Sequence, residues 1–228
     1  MKSFPALVAA GLALATSLAA RADTSAQAWL ETYYLNPRPA ELSPAVHRLS
    51  RSGWFEESGH TATAVGFLAT VFANNPARVE GWLSDLSDLP LSHRRLVAAS
   101  LWQAGHPLGS ELLKRLSGNS SVRTDVERLA ARESIAVVET PVLSPSSMNL
   151  QWGAFLASGN ERHVVAVLEA MGTDRPNLDL AARQSLAQNA VAHPRVMEIC
   201  RVQLDRQPES VRAELRAALL AAGAKPGA

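Results

Sequence analysis

Thr61 to Leu83 read TATAVGFLATVFANNPARVEGWL, and this stretch predicts a complete helical hairpin. Val65, Leu68 and Phe72 recur at the three- and four-residue spacing that lines one face of an α-helix. The Asn-Asn-Pro segment at 74–76 then ends this helix, because proline cannot continue a helix interior but suits the first turn of the next helix. The stretch therefore indicates two consecutive helices joined by a short turn, a structural signal without a chemical motif.

The same spacing, interrupted by proline and glycine, recurs along the rest of the chain. The clearest buried stripe lies on a predicted Glu161–Met171 helix, where Val164, Val167, Leu168 and Met171 stand at i, i+3, i+4 and i+7. Helices this short and this numerous do not form a single four-helix bundle, so we predict an all-α fold, an irregular stack of antiparallel helix pairs of the α-solenoid kind. The further predicted helices are Ala26–Leu35, Ser43–Arg51, Ser92–Trp102, Leu108–Leu116, Val122–Arg132, Met148–Ala157, Leu178–Ala192, Val196–Leu204 and Val211–Ala222.

Residues 133–147, ESIAVVETPVLSPSS, interrupt the helical pattern. Their two prolines exclude a regular helix, and the run at 135–138 fits either a short edge strand or an extended loop packed against the helices. This Pro-rich connection divides the mature chain into an N-terminal helical half, 23–132, and a C-terminal helical half, 148–222. Residues 223–228 are predicted to form a frayed tail.

The first 22 residues have the layout of a secretory signal peptide. Lys2 supplies the positive charge, Phe4–Ala20 is an uncharged apolar run, and Ala20-Arg21-Ala22 places small residues at the two positions that a signal peptidase reads. An uncleaved membrane anchor is the alternative, but the run is rich in alanine and slightly short of the ~20 strongly apolar residues that span a bilayer. We therefore expect export, to the periplasm or out of the cell, and a mature protein that begins at Asp23.

Net charge and cysteine content limit the classes of partner. Removal of residues 1–22 takes away Lys2 and Arg21, which leaves 20 basic and 21 acidic residues and changes the formal net charge from +1 to −1. A near-neutral surface argues against nucleic acid or anionic lipid as the main partner. Cys200 is the only cysteine, so this exported chain cannot depend on an internal disulfide.

The sequence contains no motif for metal, cofactor or nucleophilic chemistry. None of the six histidines lies three to five residues from another, which excludes a helical two-histidine metal site. Glu57 and His60 have the offset of half a di-iron site, but there is no second copy. Cys200 lies on an apolar stripe, which predicts a buried, unreactive thiol. A Gly-x-Ser-x-Gly turn, a Ser-x-x-Lys pair and a glycine-rich phosphate loop are also missing, so we predict neither a cofactor nor a metal.

Glu133-Ser134 is the most suggestive enzyme motif. The pair resembles the Glu-Ser of the soluble lytic transglycosylases, helical periplasmic enzymes in which this glutamate is the general acid. Such a carboxyl needs its pKa raised by an apolar pocket, and residues 135–138 could provide one. The family's Gly-Leu-Met-Gln and Ala-Tyr-Asn segments are missing, since the only tyrosines are Tyr33 and Tyr34. A peptidoglycan hydrolase therefore remains only an alternative function.

Two groups of residues are candidates for a binding surface. Ser185, Asn189 and His193 stand at i, i+4 and i+8 and form a polar ladder along the predicted Leu178–Ala192 helix. In armadillo-like solenoids a row of asparagines hydrogen-bonds the backbone of an extended peptide, and we predict a similar role for this ladder. The alternative is an exposed polar face that has no partner.

The second group is Tyr33, Tyr34 and Arg38, at the end of the first predicted helix. Two adjacent tyrosines cannot face the same way on a helix, so one is expected to be exposed and available to a partner. The alternative is an N-terminal helix that caps the stack.

Three segments carry a resemblance to known proteins: TYYLNPRP at 32–39, GFLATVFANNPARVEGWL at 66–83 and SLAQNAVAHPRVMEIC at 185–200. They resemble segments of exported bacterial proteins, and the helix-pair pattern resembles the armadillo, HEAT and tetratricopeptide solenoid class. The likeness covers most of the mature chain, lacks the tetratricopeptide signature and period, and brings no catalytic residues. It implies an interaction surface.

We therefore expect a non-catalytic interaction or scaffold protein of the bacterial envelope that binds a protein or a peptide. Two alternatives remain: a small envelope hydrolase that acts on peptidoglycan, and a secreted effector that binds a host protein.

Overall fold

The computed structural model describes residues 26–117, 123–171 and 175–223. Within these ranges the chain forms twelve helices and five 3₁₀ turns, and it contains no strand. The predicted all-α fold is therefore confirmed. The helices are α1 (26–32), α2 (Leu42–Ser52), α3 (His60–Asn74), α4 (Val79–Asp85), α5 (Leu91–Gln103), α6 (Pro107–Ser117), α7 (Arg123–Ala130), α8 (Pro145–Ser158), α9 (Glu161–Ala170), α10 (Pro176–Ala192), α11 (Pro194–Gln203) and α12 (Glu209–Ala221).

Some sequence predictions concern residues outside these ranges. The signal peptide at 1–22, its cleavage site after Ala22 and the tail beyond Gly223 lie outside the described residues. No helix in the described part of the chain is long and apolar enough to cross a membrane.

The hairpin predicted from residues 61–83 is present. α3 ends at Asn74, and the side-chain amide of Asn75 donates to the Val71 carbonyl oxygen at 2.8 Å, which supplies a partner at the end of the helix. The 3₁₀ turn Pro76–Arg78 then leads directly into α4. Proline suits the first position of that turn because its missing N–H costs no helical hydrogen bond there.

The first turns of α2 are held against the end of α4. The helix begins at Leu42, one residue before its predicted start, and the Ser43 hydroxyl donates to Asp85 Oδ2 at 3.0 Å. The Nε2 atom of His47 lies 3.1 Å from the carbonyl oxygen of Asp85. The two side chains, one helical turn apart, therefore fix α2 to the same residue.

The most extensive helix contact joins α3 and α8, which are far apart in sequence. Gly59 lies beside Asn149 near the start of both helices, and Ala69 packs with Ala154 in the second half of both. The two helices therefore run in the same direction. This contact crosses the 133–147 connection and joins the two halves of the chain, both of which contribute buried residues to the main hydrophobic cluster.

Two glycines allow α3 and α8 to approach closely. A Cβ atom added to Gly66 would overlap the carbonyl oxygen of Leu150, and one added to Gly153 would overlap the carbonyl oxygen of Thr63. Any side chain at either position would push the helix backbones apart, because the overlapping atoms are backbone rather than flexible side chain. The central contact of the fold therefore depends on residues without a side chain.

The connection at 133–147 is an extended loop with one 3₁₀ turn, Val137–Glu139. The edge-strand alternative for 135–138 is wrong, because an edge strand needs a neighbouring strand and the described chain has none. Gln151 Nε2 instead donates to the carbonyl oxygens of Val137 and Thr140, the first at 2.7 Å. A buried side chain of α8 therefore holds the loop against the helices.

Behind α8, α9 presents the stripe that the sequence predicts. Val164, Val167 and Leu168 are fully buried and Met171 is 4% exposed. Cys200 on α11 is also buried, as predicted, and burial raises the pKa of its thiol to about 12. The thiol is therefore protonated at neutral pH and packs as a small apolar side chain.

Candidate binding surfaces

The polar ladder on α10 is partly buried: Ser185 and Asn189 are half-buried, and His193 is buried. The Ser185 hydroxyl accepts a hydrogen bond from the indole N–H of Trp152 at 2.6 Å, and the Asn189 amide donates to the Ser185 carbonyl oxygen at 2.9 Å. His193 lies between α10 and α11 and is 8% exposed. Burial lowers its pKa, and the nearby carboxylate of Glu31 partly opposes that shift. The role of the ladder in peptide binding stays a prediction, and the Ser185 hydroxyl and the Asn189 amide already have partners within the fold.

The two tyrosines differ in exposure, as their adjacency predicts. Tyr33 is 3% exposed and packs edge-to-face with Trp29 and Phe67, at ring-centroid distances of 5.1 and 5.2 Å. Tyr34 is half-buried, and burial raises the pKa of both phenols. Arg38 is exposed and pairs with Glu41 at 3.1 Å. Tyr34 and Arg38 are therefore the members of this group that a partner could reach.

The structure brings the two predicted groups together. The Tyr34 ring lies 5.8 Å from the His193 ring and 5.1 Å from Phe155 of α8, measured between ring centroids. The end of α1 therefore packs on the junction of α10 and α11. This contact fits the alternative of an N-terminal segment that covers the helix stack.

A second surface, which sequence reasoning missed, is an open groove of about 270 Å³ between α4, α5 and α6. We call it the α4–α6 groove. Its walls are mainly apolar, and Leu83, Leu108, Leu112 and Leu116 are only partly buried there. These leucines would be assigned to the core by helical periodicity alone, because periodicity shows which face is apolar but not whether a neighbour covers it.

Three charged side chains line the α4–α6 groove. The side chains of Arg94 and Arg115 form no hydrogen bond or ion pair within the described residues, and the Nε atom of Arg94 is buried without a partner. Glu111 also lines the groove and is exposed. The groove therefore combines an apolar floor with two guanidinium groups that have donors to offer.

A third feature is a polar cluster between α2 and α5. Ser50 Oγ lies 2.7 Å from His93 Nδ1, and His93 Nε2 lies 2.6 Å from Glu56 Oε1. His93 is 5% exposed, and the Phe55 ring packs edge-to-face against its imidazole at 5.0 Å between ring centroids. No sequence motif indicates this cluster, since its members are separated by 43 and 37 residues.

The remaining candidates for chemistry are His60, Glu133 and a possible metal site. His60 stacks on Trp54 at 4.2 Å between ring centroids, and its Nδ1 atom lies 3.0 Å from the Trp54 carbonyl oxygen. Glu133 is exposed in the connection, without the apolar pocket that a general acid needs. Among residues 26–117, 123–171 and 175–223, no group of His, Cys, Asp and Glu side chains could hold a metal ion.

Comparison with protein-family models, with curated proteins and with solved structures finds no match to this chain.

Proposed function

We propose that this protein is an interaction or scaffold protein of the bacterial envelope, which binds an apolar, acidic peptide segment of a partner protein in the α4–α6 groove. The observation that carries this proposal is the combination of half-buried leucines with the unpaired Arg94 and Arg115. The envelope location follows from the signal peptide that the sequence predicts.

The shape of the groove favours a peptide. Three leucines of α6, Leu108, Leu112 and Leu116, recur every four residues along it, so their spacing matches the apolar face of a helix. An amphipathic helix lies in such a groove through apolar side chains at i, i+3, i+4 and i+7. A groove of about 270 Å³ has room for a few such side chains and is small for a whole cofactor.

The charges of the groove favour carboxylates. Arg94 and Arg115 present guanidinium groups, whose planar donors match a carboxylate with two parallel hydrogen bonds. Glu111 repels an acidic side chain on its own side, so it limits the orientations that an acidic peptide can adopt. The basic character is local, because the mature chain as a whole carries a formal net charge of −1.

The test uses two synthetic amphipathic peptides with the same leucines at i, i+3, i+4 and i+7. One carries glutamate and the other lysine at its polar positions, and binding to the purified protein is followed by fluorescence anisotropy. We expect the glutamate peptide to bind more tightly. Arg115→Glu should weaken its binding by about fivefold, since one exposed charge pair contributes up to about 1 kcal/mol.

Arg51→Glu is the matched control, because Arg51 is an exposed arginine on α2, a helix that does not line the groove. The affinity of this variant for the glutamate peptide should equal that of the unchanged protein. Equal binding of both peptides, or an equal loss in both variants, would contradict the proposal. Sedimentation that detects a dimer lost in the Arg115→Glu variant would assign the groove to a second copy of the chain instead.

A further inference from the structure

The contacts of His93 with Ser50 and Glu56 show which imidazole nitrogen faces each of the two groups. A carboxylate only accepts hydrogen bonds, so the contact of 2.6 Å places the proton of His93 on Nε2, facing Glu56. In the neutral imidazole, the lone pair of Nδ1 then faces Ser50, whose hydroxyl lies 2.7 Å away as the donor. This is the order of groups that activates a serine: hydroxyl, neutral imidazole, carboxylate. In the serine proteases Nε2 faces the serine and Nδ1 faces the carboxylate. Here the two nitrogens are exchanged, with Nδ1 facing Ser50 and Nε2 facing Glu56.

We propose that Ser50 is an acyl-accepting nucleophile with His93 as its general base, and that this cluster hydrolyses short, uncharged carboxylic esters. Glu56 is a positioning residue, since it acts through His93. The site is separate from the α4–α6 groove, so it goes beyond the proposed binding function. It adds a catalytic site to a protein that the sequence predicts to be non-catalytic.

Three features of the surroundings suit this chemistry. Ser50 is partly exposed and the Glu56 side chain is 59% exposed, so the cluster lies at the surface of the molecule. His93 is the third residue of α5, whose first turn has no side-chain cap. The positive end of that helix favours the negative charge that develops on the ester oxygen. The Glu56 carboxylate repels anions, which limits the substrate to uncharged esters.

The reaction is an acyl transfer to water. Ser50 Oγ attacks the ester carbonyl carbon, its proton moves to His93 Nδ1, and the carbonyl electron pair moves to the oxygen. When this intermediate collapses, the alkoxide leaves with the proton from Nδ1 as an alcohol. A water molecule then attacks the acyl-serine and gives a proton to Nδ1. The carboxylic acid leaves, and Ser50 recovers its proton.

The test measures modification of Ser50 by a fluorophosphonate, a reagent that reacts with activated serines, together with hydrolysis of 4-nitrophenyl acetate. We expect a single fluorophosphonate adduct, located on Ser50 by peptide mass spectrometry, and its loss in the Ser50→Ala variant. Ser52→Ala is the matched control. Ser52 lies on the same helix, is more exposed, and its hydroxyl donates to the Leu49 carbonyl oxygen rather than to an imidazole. Its labelling and hydrolysis rates should be unchanged.

Glu56 provides the second variant, because its exposed side chain can change without opening the core. A glutamine can donate to Nε2 and so favour the imidazole with its proton on Nδ1, which cannot accept the Ser50 proton. We expect Glu56→Gln to lower kcat by about tenfold or more, with KM and melting temperature unchanged, and Glu56→Asp to restore part of the rate. Absence of a Ser50 adduct, or Ser50→Ala and Ser52→Ala variants that hydrolyse the ester equally, would overturn the proposal.

Discussion

The contact between α3 and α8 and the α4–α6 groove are both formed by apolar helix faces, but one is closed and the other is open. At the first, Gly66 and Gly153 bring backbones together until a side chain would overlap them. At the second, Leu108 and Leu112 line an open groove of about 270 Å³ and stay partly exposed. The difference teaches that the number of apolar residues does not decide whether a face is covered. Whether another helix packs over that face does.

The largest expected effect compares a leucine of the closed region with one of the groove. Leu168 on α9 packs behind α8 and is fully buried, whereas Leu112 is partly exposed in the groove. Leu168→Ala should lower the free energy of unfolding by about 4 kcal/mol, through lost burial and a cavity. Leu112→Ala should lower it by about 1 kcal/mol or less. Urea denaturation of both variants measures this difference, and equal losses would mean that the groove is closed in solution.

The glycine contact is tested by adding side chains to it. Gly66→Val should lower the free energy of unfolding by about 3 kcal/mol, because the overlapping atom is the carbonyl oxygen of Leu150, which can move only with its helix. Gly81→Ala is the control: Gly81 is an exposed glycine within α4, and its added Cβ would meet no atom within 4 Å. There the better helix propensity of alanine should stabilise the protein by up to about 1 kcal/mol. A Gly66→Val variant as stable as the original would show that α3 and α8 do not meet closely.

The smallest of these effects is a pH dependence of the folding stability, and it arises beside α8, in the closed region. Burial lowers the pKa of His163 to about 4, and its Nδ1 atom lies 2.7 Å from the Gln151 side-chain oxygen. The unfolded chain, in which a histidine titrates near about 6.5, therefore binds a proton first as the pH falls. Stability present above about pH 6.5 is lost as the pH falls toward about 4, and at pH 5 the loss is about 2 kcal/mol.

Unfolding free energies of the unchanged protein and of His163→Gln, measured from pH 7 to 5, check this expectation. The variant should lose less stability over that interval. His193 should leave a residual slope of the same sign, since burial lowers its pKa as well. Identical pH profiles for the protein and the His163→Gln variant would contradict the buried, neutral state of His163.

Of the candidate surfaces, sequence reasoning identified those made of neighbouring residues. It placed Ser185, Asn189 and His193 on one face of a helix, and that much is local geometry. It did not show that Trp152 approaches Ser185, since the two residues are 33 positions apart. The same reason hid the pairing of Ser50 with His93, which joins two helices that share no sequence pattern.

The amino-acid sequence by itself determined the helical class, the hairpin at 61–83, the buried stripe of α9 and the break at 133–147. These features follow from residue spacing and from proline within one helix or turn, so a local pattern is sufficient to predict them. Only the tertiary structure decided that α3 meets α8, that the leucines of α6 remain partly uncovered and that a serine, a histidine and a glutamate converge. Each of these depends on how separate helices pack against one another, and the pattern within a single helix does not specify that packing.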